Sequence, residues 1–159
     1  MINEDLLDKL KETLVTCELH HKRMVFAYQK MQSLLPLDKE GYDNLTSEQI
    51  SFSDQLIYRF SKLQDIMGQK LFRLILKGLG EEIENLPFID ILNMMEKLQL
   101  IEDHKQWLML RETRNLVTHE YPFNKDEFIE GLNELSNQSK ILSQMWLKLK
   151  KYSQERFLI

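Results

Sequence analysis

Apolar positions early in the chain recur in steps of three and four: Leu7, Leu10, Leu14, Cys17, His21, Met24, Tyr28, Met31 and Leu35. That spacing winds onto one face of a helix, which Pro36 then ends because proline cannot extend the hydrogen-bond ladder. The next stretch, about 37–50, mixes Asp, Gly, Asn, Thr and Ser and is expected to be a long, flexible surface loop. Ser51 with Asp54 resembles a helix start, and Leu56, Phe60, Leu63, Met67, Leu71 and Leu74 continue a helical stripe until Gly78 and Gly80 stop it. Pro87 suits the first turn of a short third helix, Phe88 to about Gln99. Asp103 with Gln106 reads as a capping pair for a fourth, running to His119 or Glu120, which Pro122 prevents from extending. Asn124 with Glu127 opens a fifth, on which Phe128, Leu132, Leu135, Leu142, Trp146 and Leu149 line one side. Residues 152–159 are expected as a loose tail. Five helices with mostly short connections predict an all-α, up-and-down bundle forming a single domain over 1–159.

Composition agrees with that pattern. Gly (5) and Pro (3) are scarce among 159 residues, while 43% of the chain is hydrophobic, enough for a core and too much for disorder. The lone cysteine, Cys17, excludes an intrachain disulfide framework and suits a reducing cytoplasm. The acidic start, Met1 to Asp5, lacks the basic and apolar regions of a secretory leader, and no apolar run is long enough to span a membrane, so a cytoplasmic location without membrane contact is expected. A net charge of −4 counts against broad wrapping of duplex nucleic acid, though it leaves room for a local basic pocket.

The chemistry gathers in the fourth helix. At roughly 100° per residue, Met109, Leu110, Leu116, Val117 and Tyr121 fall on one side. Arg111, Asn115, Thr118 and His119 fall on the other, with Arg114 at the border beside Trp107. The helix C-terminus favours a protonated imidazole at His119, bringing it toward the range useful for acid–base work. An Arg supplies fixed donors for phosphate oxygens, and a His moves a proton near neutral pH. In RNA the attacking 2′-hydroxyl is already part of the substrate, so a metal is not obligatory and no cofactor is expected. By spacing alone, an Arg and a His on a polar helix face are more often solvated side chains than a catalytic pair.

The longer string says more. Arg114-Asn115, His119 and Tyr121, followed by Pro122, resemble the Arg-x4-His-x-Tyr motif of HEPN-domain toxins of the HepT type. Phe88 to Asn93, then Trp107, Leu110 and Arg111, look like the second half of that family, and Asp54 to Phe60 resemble the start of its second long helix. The resemblance covers roughly residues 50 to 135. It implies a homodimer whose motif helices face each other across a cleft, acting as a metal-independent endoribonuclease on RNA. It also implies a cognate MNT-type nucleotidyltransferase antitoxin that neutralises the toxin by adenylylating the motif Tyr. Carried over, Arg114 and His119 would be catalytic, Asn115 and Arg111 supporting, and Tyr121 the modification acceptor. A second implied reading is a non-catalytic HEPN interaction module serving as the substrate-binding subunit of a nucleotidyltransferase.

Other candidates are weaker. Adjacent His20 and His21 lie on different sides of a helix, whereas metal pairs on one helix prefer spacings of three or four; His21, in the apolar stripe, is expected to be structural. His104 at a helix start is expected to be exposed, and Cys17 to be a small core residue. Asp54 is either a favourable charge in a first helical turn or a support for the motif. Arg59 is expected to pair with an acid inside the bundle. No metal site is expected.

Overall fold

The structure, a computed structural model, describes residues 2–120 and 124–159, and at 119 and 120 the backbone alone. Asn3 begins the first helix: its Oδ1 accepts from the Leu6 N–H at 2.8 Å, and Glu4 and Asp5 add negative charge where the helix dipole favours it. Helix α1 (Glu4–Met31) ends in one tight turn, Gln32–Leu34. The expected long loop is more ordered than its composition implied. It contains a short helix, α2 (Lys39–Asp43), capped by Asp38 on the Gly41 N–H. Asn133 pins Leu37 in both directions at 2.8 Å, and Asp43 pairs with Lys125, so the segment lies fastened to a neighbouring helix.

Helix α3 (Ser47–Ile66) starts earlier than the Ser51–Asp54 pair suggested. Thr46 and Gln49 form a reciprocal capping box, each side chain accepting the other's backbone N–H, at 3.1 and 2.9 Å. It runs into a π turn, Met67–Leu71, and on into α4 (Phe72–Gly78), which ends ahead of Gly80 at φ +85°. Helices α5 (Phe88–Lys97), α6 (His104–Glu120) and α7 (Lys125–Phe157) complete the chain, with no strand among the described residues. The expected tail is instead the last turns of α7. Ser153 and Phe157 are buried there, and a Cβ placed on Gly78 would lie 2.8 Å from the Phe157 ring.

Cross-contacts fix the topology as an all-α up-and-down bundle. His20 meets Arg59 and Phe26 meets Phe52, so α1 and α3 run antiparallel. Glu18 meets Lys150 and His21 meets Ser143, which sets α7 antiparallel to α1. Asp65 meets Arg114 while Gly68 lies against Trp107, and Gly131 lies against Val117; α6 is thus antiparallel to both α3 and α7. Four rods in the cyclic order α1, α3, α6, α7 enclose Leu10, Cys17, Met24, Leu56, Phe60, Leu63, Trp107, Leu135, Leu142 and Trp146. No helix among the described residues is long and apolar enough to cross a membrane.

Candidate functional site

Helix α6 is anchored at its start by a neighbour. The Glu96 carboxylate on α5 accepts from the His104 backbone N–H at 2.9 Å and faces its Nδ1 at 3.0 Å, while Asp103 accepts from the Lys105 N–H. The His104 backbone bond, then the His104 ring, hold the Glu96 carboxyl below its ordinary range. Glu96 thereby takes a share of the capping that sequence assigned to Asp103 and Gln106. Glu96, Asp103 and His104 are also the one His/Cys/Asp/Glu group among the described residues close enough to hold a metal ion, with ligand atoms within 4.8 Å. One oxygen of each carboxylate, Glu96 Oε1 and Asp103 Oδ1, is engaged in starting the helix.

The buried stripe of α6 is Trp107, Leu110 and Val117. Met109 and Leu116, grouped with Leu110 and Val117 from the wheel, instead face outward at 57% and 37% exposure. This rotation moves Arg114 inward, because positions 107, 110, 114 and 117 share one helical face. Its Nη2 donates to Asp65 Oδ2 on α3 at 2.7 Å, with the two side chains only 25% and 30% exposed. Nη1 donates to Asn115 Oδ1 at 3.3 Å. Arg114 is therefore a seam residue between α3 and α6, not a border residue of a solvated arc.

Two cavities lie along that seam. The first, about 340 Å³, is lined by Gln64, Asp65, Gly68, Arg73, Phe88, Trp107, Arg111 and Arg114, among others. The π turn runs along it, the wider ring showing in the Phe72 N–H reaching back to the Met67 carbonyl. Gly68 sits so close to the rings that a Cβ there would meet Trp107 at 3.0 Å and Phe88 at 3.4 Å. The Arg111 guanidinium lies 5.2 Å from the centre of the Phe88 ring, and Trp107 packs at 4.7 Å from Phe72. Three guanidiniums against one carboxylate make this a cationic pocket on a chain of net charge −4.

The second cavity, about 310 Å³, is lined by Asp54, Ile57, Tyr58, Ser61, Val117, Thr118 and Phe128. Asp54 is thus near the C-terminal half of α6, and desolvation raises its carboxyl above the ordinary range. The Thr118 hydroxyl lies within bonding reach of the Arg114 and Asn115 carbonyls. Ser61 and Thr118 are one turn from Asp65 and Arg114 respectively, so the ion pair stands between the cavities.

Of the residues singled out from sequence, Arg111, Arg114 and Asn115 are brought together, and Asp54 lines the adjoining cavity. The side chain of His119 and all of Tyr121 lie outside the described residues. Sequence reasoning missed Asp65, Arg73 and Gln64. Gln64 carried a signal: it stands four residues after Phe60, a polar residue within an otherwise apolar stripe.

The remaining candidates are internal. His20 Nδ1 meets Arg59 Nη1 at 2.9 Å, and because Arg can only donate, that nitrogen accepts. Arg59 therefore meets a histidine where an acid was expected. His21 Nε2 meets Ser143 Oγ at 2.6 Å. Burial, then the charges of Arg59 and Lys62, depresses the His20 pKa; burial likewise depresses that of His21 against the opposing pull of Glu18. His104, expected to be exposed, is partly buried against Glu96. Burial, then Glu18, pushes the Cys17 thiol up to about 12, leaving it inert.

No family model matches this chain, and no curated protein or solved structure matches it.

Proposed function

We propose that this chain is a metal-independent endoribonuclease of the HEPN class, the toxin of a HepT/MNT-type pair. It cuts RNA in a cleft between two copies and is neutralised by a partner nucleotidyltransferase through adenylylation of Tyr121. The observation that carries the reading is the setting of Arg114. The arginine of the Arg-x4-His-x-Tyr string lies on the rim of a cationic groove with Arg111 and Arg73, neither of which has a carboxylate partner among the described residues. Such a setting suits a phosphodiester, since guanidiniums match phosphate oxygens and stabilise charge that grows in the transition state. A second copy would find apolar surface on α6 at exposed Met109 and Leu116, seven residues apart on one face.

In this mechanism His119 accepts the 2′-hydroxyl proton as the 2′-oxygen attacks phosphorus. The bond from phosphorus to the 5′-oxygen breaks, and that oxygen takes a proton from water as it leaves. The products carry a 2′,3′-cyclic phosphate and a 5′-hydroxyl, and Arg114 offsets the charge between. An adenylyl group on Tyr121 would bring a competing phosphate to the same arginine.

A second reading, a non-catalytic module that serves a nucleotidyltransferase, is favoured by the Arg114–Asp65 pair, which gives Arg114 a structural employment. Incubating the purified protein with total RNA in EDTA separates the two. Wild type is expected to cleave, and Arg114→Ala and His119→Ala to lose about 100-fold or more. Cleavage that survives both substitutions removes the site assignment, and an inert wild type favours the module. Intact mass after co-expression with the nucleotidyltransferase is expected to rise in multiples of one AMP, a gain absent in Tyr121→Phe.

A further inference from the structure

On the side of the bundle away from Arg114, the seam between α1 and α7 holds a hydroxyl against a histidine. Ser143 Oγ on α7 lies 2.6 Å from His21 Nε2 on α1. Ser136 and Ser139, on the same helix, donate their hydroxyl protons to helix carbonyls at 2.8 and 2.7 Å. Ser143 makes no such bond. His21 is its one hydrogen-bond partner among the described residues, so the hydroxyl donates to Nε2 and the ring proton sits on Nδ1. Burial depresses the His21 pKa and keeps the ring neutral, able to accept a proton, while the charge of Glu18, one turn back on α1, favours the imidazolium that would form. Glu18 is fixed in turn by the Trp146 indole N–H at 3.0 Å and the Lys150 ammonium at 3.1 Å. A hydroxyl on a neutral histidine, with an acid steadying the charge, is the arrangement that turns serine into a nucleophile.

Ser143 opens on a cavity of about 370 Å³ between the two helices. Met24, Val25 and Tyr28 give the cavity an apolar wall, and no acidic residue among the described residues lines it. Backbone N–H groups beside Ser143 belong to the helix ladder, so the side chains of Lys140 and Gln144 are left to serve an oxyanion. The Lys140 ammonium is held 5.2 Å from the centre of the Tyr28 ring. We infer that Ser143 is the nucleophile of a second active site, one that hydrolyses carboxylic esters of short apolar acids. Ser143 Oγ bonds to the ester carbonyl carbon as its proton passes to His21 Nε2, and the carbonyl oxygen becomes an oxyanion. The bond from that carbon to the alkoxy oxygen then breaks, the alcohol leaves with the proton from His21, and the acyl group stays on Ser143. Water adds to the acyl carbon and gives its proton to His21. The bond to Oγ breaks, Oγ regains the proton, and the acid departs. None of the residues assigned to RNA cleavage takes part.

The full chain is assayed with p-nitrophenyl butyrate and with diisopropyl fluorophosphate, whose fluoride leaves as serine bonds to phosphorus. Wild type is expected to release p-nitrophenol over many turnovers. One diisopropylphosphoryl group per chain is expected to stop it and to map to the tryptic peptide 141–148, in which Ser143 is the only serine. Ser143→Ala and His21→Gln are each expected to lose about 100-fold in turnover, with Tm measured alongside to show that both are folded. The mapped adduct is read on wild type, so a folding defect in a variant cannot imitate it. No turnover by wild type, no adduct at Ser143, or wild-type rates in folded Ser143→Ala or His21→Gln would leave Ser143 a strut between α1 and α7 and overturn the esterase.

Discussion

Cutting the tie between Arg114 and Asp65 perturbs the seam between α3 and α6 at one defined contact. Two unit charges about 4 Å apart attract by roughly 4 kcal/mol at an effective dielectric of 20. The side chains are 25% and 30% exposed, so part of that attraction is screened by water and part was spent on desolvation. The 2.7 Å contact is a charge-assisted hydrogen bond, a class worth about 1.5–3 kcal/mol before such discounting. A coupling of about 1–2 kcal/mol follows. The assay is urea unfolding of wild type, Asp65→Ala, Arg114→Ala and the double variant, closed as a thermodynamic cycle. Each single variant is expected to lower the midpoint with an unchanged slope, and to reduce Tm by about 3–6 °C for a chain of this size. The double variant should lose less than the sum of the singles by the coupling energy. A coupling below about 0.3 kcal/mol would mean that Arg114 is held by its helix alone and not by Asp65.

Three further outcomes follow from the same structure. His20 and His21 are held neutral with depressed pKa values, so the unfolded chain binds more protons just below the ordinary value of 6.5. Stability is therefore full above that pH and falls on acidification; Tm should drop between pH 7.5 and 5.5, and a His20→Gln, His21→Gln double variant should flatten the drop. Gln64→Leu removes two unpartnered buried atoms at similar volume and is expected to raise stability by about 1 kcal/mol in urea unfolding. Removing residues 152–159 deletes buried Ser153 and Phe157 and uncovers Gly78, so equilibrium unfolding should show a loss of about 2 kcal/mol or more, whereas a disordered tail would cost nothing.

The bundle was legible because its stripes are long. Leu10, Leu14, Cys17, Met24 and Met31 on α1, and Leu132, Leu135, Leu142, Trp146 and Leu149 on α7, are buried where the three-and-four spacing put them. Helix α6 was harder because it is apolar on two sides. Trp107, Leu110 and Val117 compete with Met109 and Leu116, and periodicity alone cannot say which side the bundle covers. Packing against α3 and α7 decides it, and with it the inward position of Arg114. The start of α3 was misread for a different reason: Thr46–Gln49 and Ser51–Asp54 are both credible starts, and only the reciprocal hydrogen bonds choose between them. The pairing of Arg114 with Asp65 joins positions 49 residues apart, and nothing local to either foretells it. Arg73 enters the cavity only by way of the π turn and the crossing of α3 with α6.

End-group analysis of RNA cut in EDTA decides whether Arg114 and His119 carry a metal-independent cleavage. Wild-type protein is expected to leave 2′,3′-cyclic phosphate and 5′-hydroxyl ends, which disappear in both Arg114→Ala and His119→Ala. Ends bearing a 5′-phosphate, or cyclic ends made equally well by the two variants, would contradict that role for the two residues.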